Sequence, residues 1–384
     1  MGGVFNSSKL LIFRKTNCYM KHITHTIAAI LIVTALHAQM DLPPSGGNPR
    51  ATLTEEIGIT SITIKYSRPD VNKREGKIWG DLIPYGFASQ NLVTNKSENP
   101  WRAGANENTI ISFEHDVKVQ GKNIKAGVYG LSMAVWPDSV LLIFSNQSGS
   151  WGSFYYDPKN DALRVSTKPV ALDKSVEYLK YEFIEQKENY CVIALQWEKL
   201  SIPFRVDVDV DNIVIAKLRD DVTGQKGFNQ LNLVAAANYC LNKNINLEEA
   251  LSWAQRAAGL KSYGTLNTLS TAYTKNNKLS QADSTMNEAL VFANPNQYMG
   301  AGRSMITAKR LDRALEIFDA NQKKNGEVYA VNAGYMSYYS AIGNFTKAMG
   351  YANAALTQAP NEATKTSIIG FIAKLKEGKD INQQ

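Results

Sequence analysis

The chain has 384 residues and a formal net charge of +7, and 44% of its residues are hydrophobic, 20% charged and 10% aromatic. This length predicts two domains rather than one. The composition excludes collagen-like and intrinsically disordered chains, whose residue usage is far more biased.

The first predicted element is a secretory signal at the N-terminus. An apolar run of ten residues, Ile27–Leu36, follows the basic residue Lys21 and ends near a small residue, Ala38. These are the features of a signal peptide, so we expect residues 1–38 to be removed. The run is too short for a transmembrane helix, which needs about 20 apolar residues, and no membrane span is expected after cleavage.

The same segment bears on the start, the charge and the location of the protein. Met20 is followed by a complete signal sequence, so Met1–Tyr19 is interpreted as an over-extended gene start, with a long basic region as the alternative. Because the signal contains four basic residues and no acidic one, the formal net charge falls from +7 to +3 without it. Nucleic-acid binding is therefore not predicted, and we expect an exported protein, periplasmic or extracellular.

Few residues suited to metal or nucleophilic chemistry follow the signal. His115 is the single histidine beyond residue 38, which excludes a zinc site with two or three histidines and leaves a serine triad only if His115 serves it. Cys191 lies in a strand-like run and Cys240 in a helix-like run. Two buried free thiols are expected, with a disulfide as the alternative. No cofactor is predicted.

From about residue 45 to residue 210 the pattern is that of an antiparallel β-domain. Short runs rich in β-branched and aromatic residues alternate with Gly, Pro, Asn and Asp, and no long helical pattern interrupts them. Strands at this spacing form a sandwich or a barrel, and we predict a β-sandwich. The predicted strands, about eight in number, are Ile59–Pro69, Thr109–Val119, Gly127–Trp136, Ser139–Asn146, Ala162–Val170, Glu177–Gln186, Tyr190–Leu200 and Ser201–Val210.

Five polar motifs occur in order along this half of the chain. They are the segments Ser67–Gly86, Trp101–Thr109, Gly121–Leu131, Asn146–Gly152 and Tyr155–Val165. In this order they resemble the secreted bacterial family called domain of unknown function 2911, many members of which come from Bacteroidetes, over about residues 45–205. The resemblance implies an exported domain and implies no reaction, because the family has no established one.

The motifs contain eight candidate ligand-binding residues: Arg68, Lys77, Trp101, Arg102, Asn106, Glu107, Trp151 and Tyr156. Arg68 and Arg102 could clamp an anionic group, or Arg68 could pair with the Glu107 carboxylate and fix a loop. Lys77 could face a ligand or be a solvated loop residue, and Asn106 can cap backbone groups. The aromatic residues of the set, together with Tyr155, could stack on a sugar ring or another flat ligand, or belong to the core.

Glu107 is also the candidate acid or base of a hydrolase. Glycosidases usually need a second carboxylate within about 5–10 Å, and Asp157 and Asp161 are the candidates for it. An Asx turn is expected for the segment Asp157–Asp161, with calcium binding by these two aspartates as the alternative.

From about residue 225 to residue 375 the sequence becomes helical and repetitive. Ala250, Ala282, Ala314 and Ala348 recur at intervals of 32, 32 and 34 residues. Seven positions after each of them lie Ala257, Ala289, Asn321 and Ala355. This spacing resembles the tetratricopeptide repeat, in which paired helices touch at small residues and neighbouring pairs share a core. Gly302 fits the small position in the first helix of the third of four units.

Two polar segments are interpreted without a ligand. Asp207, Asp209 and Asp211 are predicted to lie on one face of a strand, as a charged edge rather than a calcium site. The tail Lys374–Gln384 is expected to fray.

The sequence thus predicts a multidomain β + α protein, an antiparallel β-sandwich followed by a tetratricopeptide-like α-solenoid. We predict a binding or interaction protein. Its β-domain would bind a small polar or carbohydrate ligand, and its helical repeats would bind a polypeptide partner. The alternatives are a hydrolase that uses Glu107 and a purely structural set of motifs without a ligand.

Overall fold

The computed structural model describes residues 47–88 and 98–383. Within them the chain forms ten β-strands and ten α-helices and divides into two compact units, one up to Val210 and one from Asp211. The predicted signal peptide lies outside the described residues. None of the helices in the described ranges is long and apolar enough to cross a membrane.

The first unit contains two antiparallel sheets. Its strands are β1 (Arg50–Ile57), β2 (Thr60–Ser67), β3 (Thr109–Phe113), β4 (Val117–Val119), β5 (Lys122–Ile124), β6 (Gly127–Val135), β7 (Val140–Ser145), β8 (Asp161–Thr167), β9 (Val170–Gln186) and β10 (Tyr190–Val208). Strands β1, β2, β3, β6, β7 and β8 form a six-stranded sheet in that order, and β5, β4, β10 and β9 form a four-stranded sheet.

The core of this unit lies between the two sheets. Successive side chains of a strand point to opposite faces, and in β2 the side chains of Ile62 and Ile64 are fully buried while Thr63 between them is more exposed. The rings of Phe144 in β7 and Phe204 in β10 meet edge to face, with centroids 6.4 Å apart. The predicted antiparallel β-sandwich is therefore confirmed.

Two predicted strand boundaries are wrong. The run Thr109–Val119 is not one strand, because β3 and β4 lie in different sheets. The chain turns between them, where the carboxylate of Asp116 accepts a hydrogen bond from the backbone N–H of Ala126 at 2.8 Å. Conversely, β10 is continuous through two predicted strands, and the shifts in its register with β9 are the irregularities that let a long strand bend.

The predicted acidic strand edge is also wrong. Strand β10 ends at Val208, so Asp209 and Asp211 lie beyond it. Asp211 is in the first turn of the following helix, where the positive end of the helix dipole favours a carboxylate. Its side chain pairs with Lys243 at 2.8 Å.

The second unit is a stack of helices. They are α1 (Val210–Thr223), α2 (Gln230–Lys243), α3 (Leu247–Ala257), α4 (Tyr263–Lys275), α5 (Leu279–Val291), α6 (Pro295–Thr307), α7 (Leu311–Asn325), α8 (Tyr329–Ala341), α9 (Phe345–Thr357) and α10 (Glu362–Lys376). Helices α2 to α9 pack as four consecutive pairs. The four alanines that recur in the sequence lie in α3, α5, α7 and α9, and all of them are buried. The predicted tetratricopeptide-like α-solenoid is confirmed.

Glycine allows two helices to approach the same aromatic ring. A Cβ atom added to Gly302 in α6 would collide with the ring of Phe318 in α7, and one added to Gly334 in α8 would lie 2.6 Å from that ring. Glycine normally weakens a helix, so the close contact with Phe318 explains its presence at both positions. This confirms the small position predicted at Gly302.

Both cysteines of the described chain are buried free thiols, as expected. Burial raises the pKa of Cys191 to about 12, and burial likewise raises the pKa of Cys240. Because the thiolate is the reactive form, neither thiol is suited to nucleophilic chemistry.

Candidate functional site

The loop Trp101–Thr109 is fixed to the β-sandwich at its first residue. The backbone of Trp101 exchanges two hydrogen bonds with Met133 of β6, at 2.8 and 2.7 Å. The indole N–H of Trp101 donates to the carbonyl of Gly104 at 3.1 Å, and its ring stacks on Trp197 of β10 with centroids 6.1 Å apart. Trp101 therefore belongs partly to the aromatic core of the domain.

A buried carbonyl in the middle of the loop accepts two side-chain hydrogen bonds. Ala103 has a left-handed backbone (φ +51°) and is completely buried. Its carbonyl oxygen accepts from Thr109 Oγ1 at 3.0 Å and from the hydroxyl of Tyr181 in β9 at 2.9 Å. Thr109 is in the six-stranded sheet and Tyr181 in the other, so this carbonyl ties the loop to both.

The predicted pair between Arg68 and Glu107 is wrong. Glu107 forms its ion pair with Arg50 of β1 and accepts a hydrogen bond from Ser67 Oγ at 3.2 Å. Arg68 instead donates to the carbonyl of Leu179 at 2.9 Å and lies over the ring of Tyr178. The register of β1 and β2 explains why Arg50, and not Arg68, pairs with Glu107. Arg50 is directly opposite Ser67, which also bonds to Glu107.

The environment of Glu107 favours its charged form. Burial raises its pKa, but the opposing effects of its own backbone N–H, Arg50 and Ser67 are together larger, and the pKa lies below the ordinary value. A general acid at neutral pH needs a raised pKa. The groove of about 290 Å³ that Glu107 lines contains no second carboxylate among its described lining residues.

Arg102 has a different environment from Glu107, although both belong to the same loop. Its Nη1 donates to the carbonyl of Asn106, and its guanidinium lies over the ring of Phe154, 5.4 Å from the centroid. A Cβ atom on Gly152 would collide with the guanidinium. Burial lowers the pKa of Arg102, and no ion pair within the described residues includes it.

Arg102 lines a cavity of about 210 Å³. Its described lining is mostly apolar, and it consists of Leu82, Ile83, Pro84, Gly86, Ala88, Asn99, Pro100, Trp101, Arg102, Ser153 and Phe154. Arg102 is the single charged side chain in this described lining. The cavity can hold a small molecule with an apolar part and one polar or anionic group.

The eight sequence candidates are not gathered in one place. Trp101 and Arg102 line the cavity, whereas Glu107 lines the separate groove. The side-chain oxygen of Asn106 accepts a hydrogen bond from Asn48 at 3.2 Å. Lys77 is exposed, and the described lining of neither space includes Arg68, Lys77, Trp151 or Tyr156.

The predicted aromatic platform is wrong in its membership. Tyr156 is buried, whereas Trp151 and Tyr155 are both about half exposed, at 52% and 53%. The Tyr156 hydroxyl donates to Asp161 at 2.7 Å, and burial followed by this hydrogen bond raises its pKa. Its ring therefore cannot stack on a ligand.

The two candidate calcium ligands are engaged in local structure. Asp161 forms an ion pair with Arg164 at 2.6 Å. Asp157 precedes a short 3₁₀ helix, and its Oδ1 accepts the backbone N–H of Lys159 at 3.2 Å. This is the Asx-type turn that the sequence predicts for this segment. No group of metal-ligating side chains occurs within residues 47–88 and 98–383.

The predicted fraying of the C-terminal tail is wrong for its middle residues. Gly378, with a left-handed backbone (φ +69°), follows α10 and turns the chain back. The backbone N–H of Ile381 then donates to Ser340 Oγ of α8 at 2.9 Å, and Asn382 Nδ2 donates to the carbonyl of Ser337 at 2.9 Å. Ser340 donates to Asp380 at 2.8 Å.

Comparison with known families supports the resemblance seen in the motifs. Residues 48–206 match the sequence model of the family described as "Protein of unknown function (DUF2911)". These residues span the β-sandwich, and we call the matched segment the DUF2911 domain. The cavity beside Arg102 and the groove beside Glu107 both lie within the matched residues. No curated protein matches the chain.

Solved helical-repeat structures resemble part of the chain at low similarity. The APC/C hetero-tetramer Cut9–Hcn1 is 12% identical with a TM-score of 0.31, covering 43% of this chain and 33% of that chain. A tetratricopeptide repeat protein from Parabacteroides merdae ATCC 43184 is 16% identical with a TM-score of 0.30, covering 44% and 68%. YrrB, "a TPR protein with an unusual peptide-binding site", is 16% identical with a TM-score of 0.27, covering 43% and 86%. The match thus spans a third of the length of the first of these structures.

Sequence reasoning missed three residues that shape the sites of the DUF2911 domain. Arg50 was absent from the candidates because β1 was not among the predicted strands. Phe154 lies between two motifs, and Gly152 ends the motif Asn146–Gly152 without being one of the eight candidates. An arginine and a glycine in separate motifs carry no sequence signal that they touch, so this contact was not predictable from one sequence.

Proposed function

We propose that this protein is an exported binding protein whose helical repeats take up an extended polypeptide segment. The observation that carries the proposal is the docking of the protein's own tail, in which residues 380–382 bond to two buried serines of α8. The side chain of Ile381 also packs against the apolar cluster that includes Met336 and Leu375. A partner segment with an acidic residue followed by an aliphatic one can make the same contacts.

Polar groups on α8 and α6 support binding of an acidic segment. Ser337 and Ser340 are buried, and Arg303 of α6 donates to Ser337 Oγ at 3.0 Å. Burial lowers the pKa of Arg303, and no ion pair within the described residues includes this side chain. A buried cation without a partner charge is costly, so a nearby carboxylate on a partner stabilises it.

The test uses the tail itself as the probe. A labelled peptide of residues 378–384 is titrated, with fluorescence anisotropy as the readout, into the full chain and into a chain that ends at residue 378. We expect saturable binding to the shortened chain and binding at least about tenfold weaker to the full chain, because the attached tail competes at high effective concentration. No binding to the folded, shortened chain would contradict the proposal.

Matched variants locate the peptide. Ser340→Ala in the shortened chain removes a hydroxyl that contacts the tail, and we expect it to weaken binding of the peptide. Ser304→Ala is the control, since Ser304 bonds to the carbonyl of Gly300 on its own helix at 3.1 Å. A peptide with Ile381→Asp is expected to lose binding, because the apolar contact is gone.

A second binding site is proposed in the DUF2911 domain, for a small polar or carbohydrate ligand. The cavity in which Trp101 and Arg102 meet supports it. A hydrolase has less support, because the pKa of Glu107 is lowered and its groove holds no second carboxylate among the described residues. The first test is a thermal-shift screen of the full chain with small acids, amides and sugars, in which no shift for any compound would contradict this second site.

Export is the remaining part of the proposal, and the sequence Lys21–Ala38 supports it. Expression of the full gene in a bacterium and N-terminal sequencing of the periplasmic and extracellular fractions should give a chain that starts near Gln39. An unprocessed chain retained in the cytoplasm would contradict export.

A further inference from the structure

We infer that the cavity beside Arg102 binds a small organic carboxylate with an apolar or aromatic body. This inference rests on the proposed ligand site of the DUF2911 domain and names the chemical class of its ligand. Three observations carry it: the unpaired charge of Arg102, the contacts that fix its guanidinium, and the apolar walls around it.

The guanidinium of Arg102 has unused donors. It carries five N–H groups, and its single hydrogen bond within the described residues runs from Nη1 to the carbonyl of Asn106. Burial lowers its pKa, so its charge is partly removed from water without an anionic partner among the described residues. A carboxylate in the cavity would supply that partner and could accept two parallel hydrogen bonds.

The guanidinium is held in place before a ligand arrives. The ring of Phe154 lies on one side of it, 5.4 Å away, its Nη1 bonds to the carbonyl of Asn106, and a Cβ atom at Gly152 would displace it. The backbone of Gly152 is left-handed (φ +60°), which a residue with a side chain rarely adopts. A cation fixed in this way loses little side-chain freedom when it binds an anion.

The remaining walls favour a carbon skeleton over a sugar. Leu82, Ile83 and Pro84 provide apolar surface in the cavity that Arg102 lines. The polar residues Asn99 and Ser153 already have partners, whereas a sugar needs several polar groups directed at its hydroxyls. The volume of about 210 Å³ corresponds to about seven water molecules at about 30 Å³ each, which suits an acid with one small ring.

Benzoate is the probe and benzamide its neutral control of the same shape. Both are titrated into the full chain by isothermal calorimetry at low salt, with glucose as a third ligand. We expect benzoate to bind at least about tenfold more tightly than benzamide, because only the acid carries the charge that pairs with Arg102. We expect glucose not to bind.

Variants assign the binding to the cavity. Arg102→Gln is expected to weaken the binding of benzoate at least about tenfold and to leave the binding of benzamide unchanged. The substitution removes the charge and keeps a polar side chain. Arg68→Gln is the matched control, because Arg68 also lies over an aromatic ring and bonds to a carbonyl but does not line the cavity. It should bind benzoate like the parent protein.

The outcomes separate the ligand class from the ligand site. Equal binding of benzoate and benzamide, lost together in Phe154→Ala, would overturn the carboxylate class and keep a ligand site. Benzoate binding that Arg102→Gln leaves unchanged would overturn the inference. Absence of binding by all three compounds would overturn both the inference and the proposed site, while the tail-peptide experiment would still decide the function of the repeats. If Arg102→Gln does not fold, the comparison of benzoate with benzamide still tests the ligand class, and the Phe154→Ala variant still tests whether the ligand binds in the cavity.

Discussion

In the DUF2911 domain a loop is held by hydrogen bonds from distant side chains, whereas in the helical repeats neighbouring helices are held by close contact at small residues. The carbonyl of Ala103 receives donors from both sheets, and the ring of Phe318 touches two helical glycines. The first arrangement depends on pairs of groups far apart in the chain. The second depends on the size of one residue at a repeated position, and the two therefore respond differently to substitution.

The largest effect is expected from Gly302→Ala in the repeats. The added methyl group would collide with Phe318, a fully buried ring that also contacts Gly334. Overpacking of a dense core costs typically about 1–3 kcal/mol, and we expect the free energy of unfolding to fall by about that amount in urea denaturation. Peptide binding by the repeats should persist at temperatures where the variant stays folded.

The control is Gly300→Ala, two residues away on the same helix. Among the described residues, no atom outside the helix lies within 4 Å of a Cβ at Gly300, and alanine is the better helix former by about 0.5–1 kcal/mol. This variant should be as stable as the parent protein or more stable. Equal destabilisation by both substitutions would show that helix packing at Phe318 is not what selects glycine at position 302.

An intermediate effect is expected when the two hydroxyl groups that donate to the buried carbonyl of Ala103 in the DUF2911 domain are removed. Tyr181→Phe should reduce the free energy of unfolding by about 1 kcal/mol, the usual net value of one hydrogen bond. Adding Thr109→Val removes the second donor to Ala103, and a buried acceptor without any partner costs about 1–3 kcal/mol. The free energy of unfolding of the double variant should therefore fall by more than the sum of the two single losses, as measured in a double-mutant cycle.

The hydroxyl of Tyr190 gives the comparison for this series. It donates to the carboxylate of Glu185 at 2.7 Å in an exposed position, so Tyr190→Phe should change stability by less than about 0.5 kcal/mol. Simple additivity of the Tyr181 and Thr109 substitutions would contradict the idea that they share one acceptor.

The difference between repeated contacts at small residues and hydrogen bonds between distant residues also explains what could be predicted from the sequence. The period of Ala250, Ala282, Ala314 and Ala348 predicted the helical pairs, because a repeated contact leaves a repeated residue. The hydrogen bonds of the loop carry no such period. Arg50 lies 57 positions before Glu107 in a strand absent from the prediction, and only the register of β1 with β2 brings it there. The tail escaped prediction for the same reason, since its polar sequence indicates solvent exposure, and its bonds to Ser337 and Ser340 need the folded helix.

The smallest effect is expected from Glu107→Gln, and it should depend on pH. The folded-state pKa of Glu107 lies below its ordinary value, so its charge contributes stability at pH values above the ordinary pKa and loses that contribution as the pH falls through the folded-state value. Its partner Arg50 is 60% exposed, and an exposed ion pair contributes about 0–1 kcal/mol. We expect the variant to be less stable than the parent protein by under about 1 kcal/mol at pH 7 and the difference to shrink as the pH falls below about 4.5. Arg50→Gln should show the same trend, because it removes the other half of the pair. A difference that grows on acidification would mean that the protonated form of Glu107 is the favoured one, which would return this carboxylate to the candidates for a general acid.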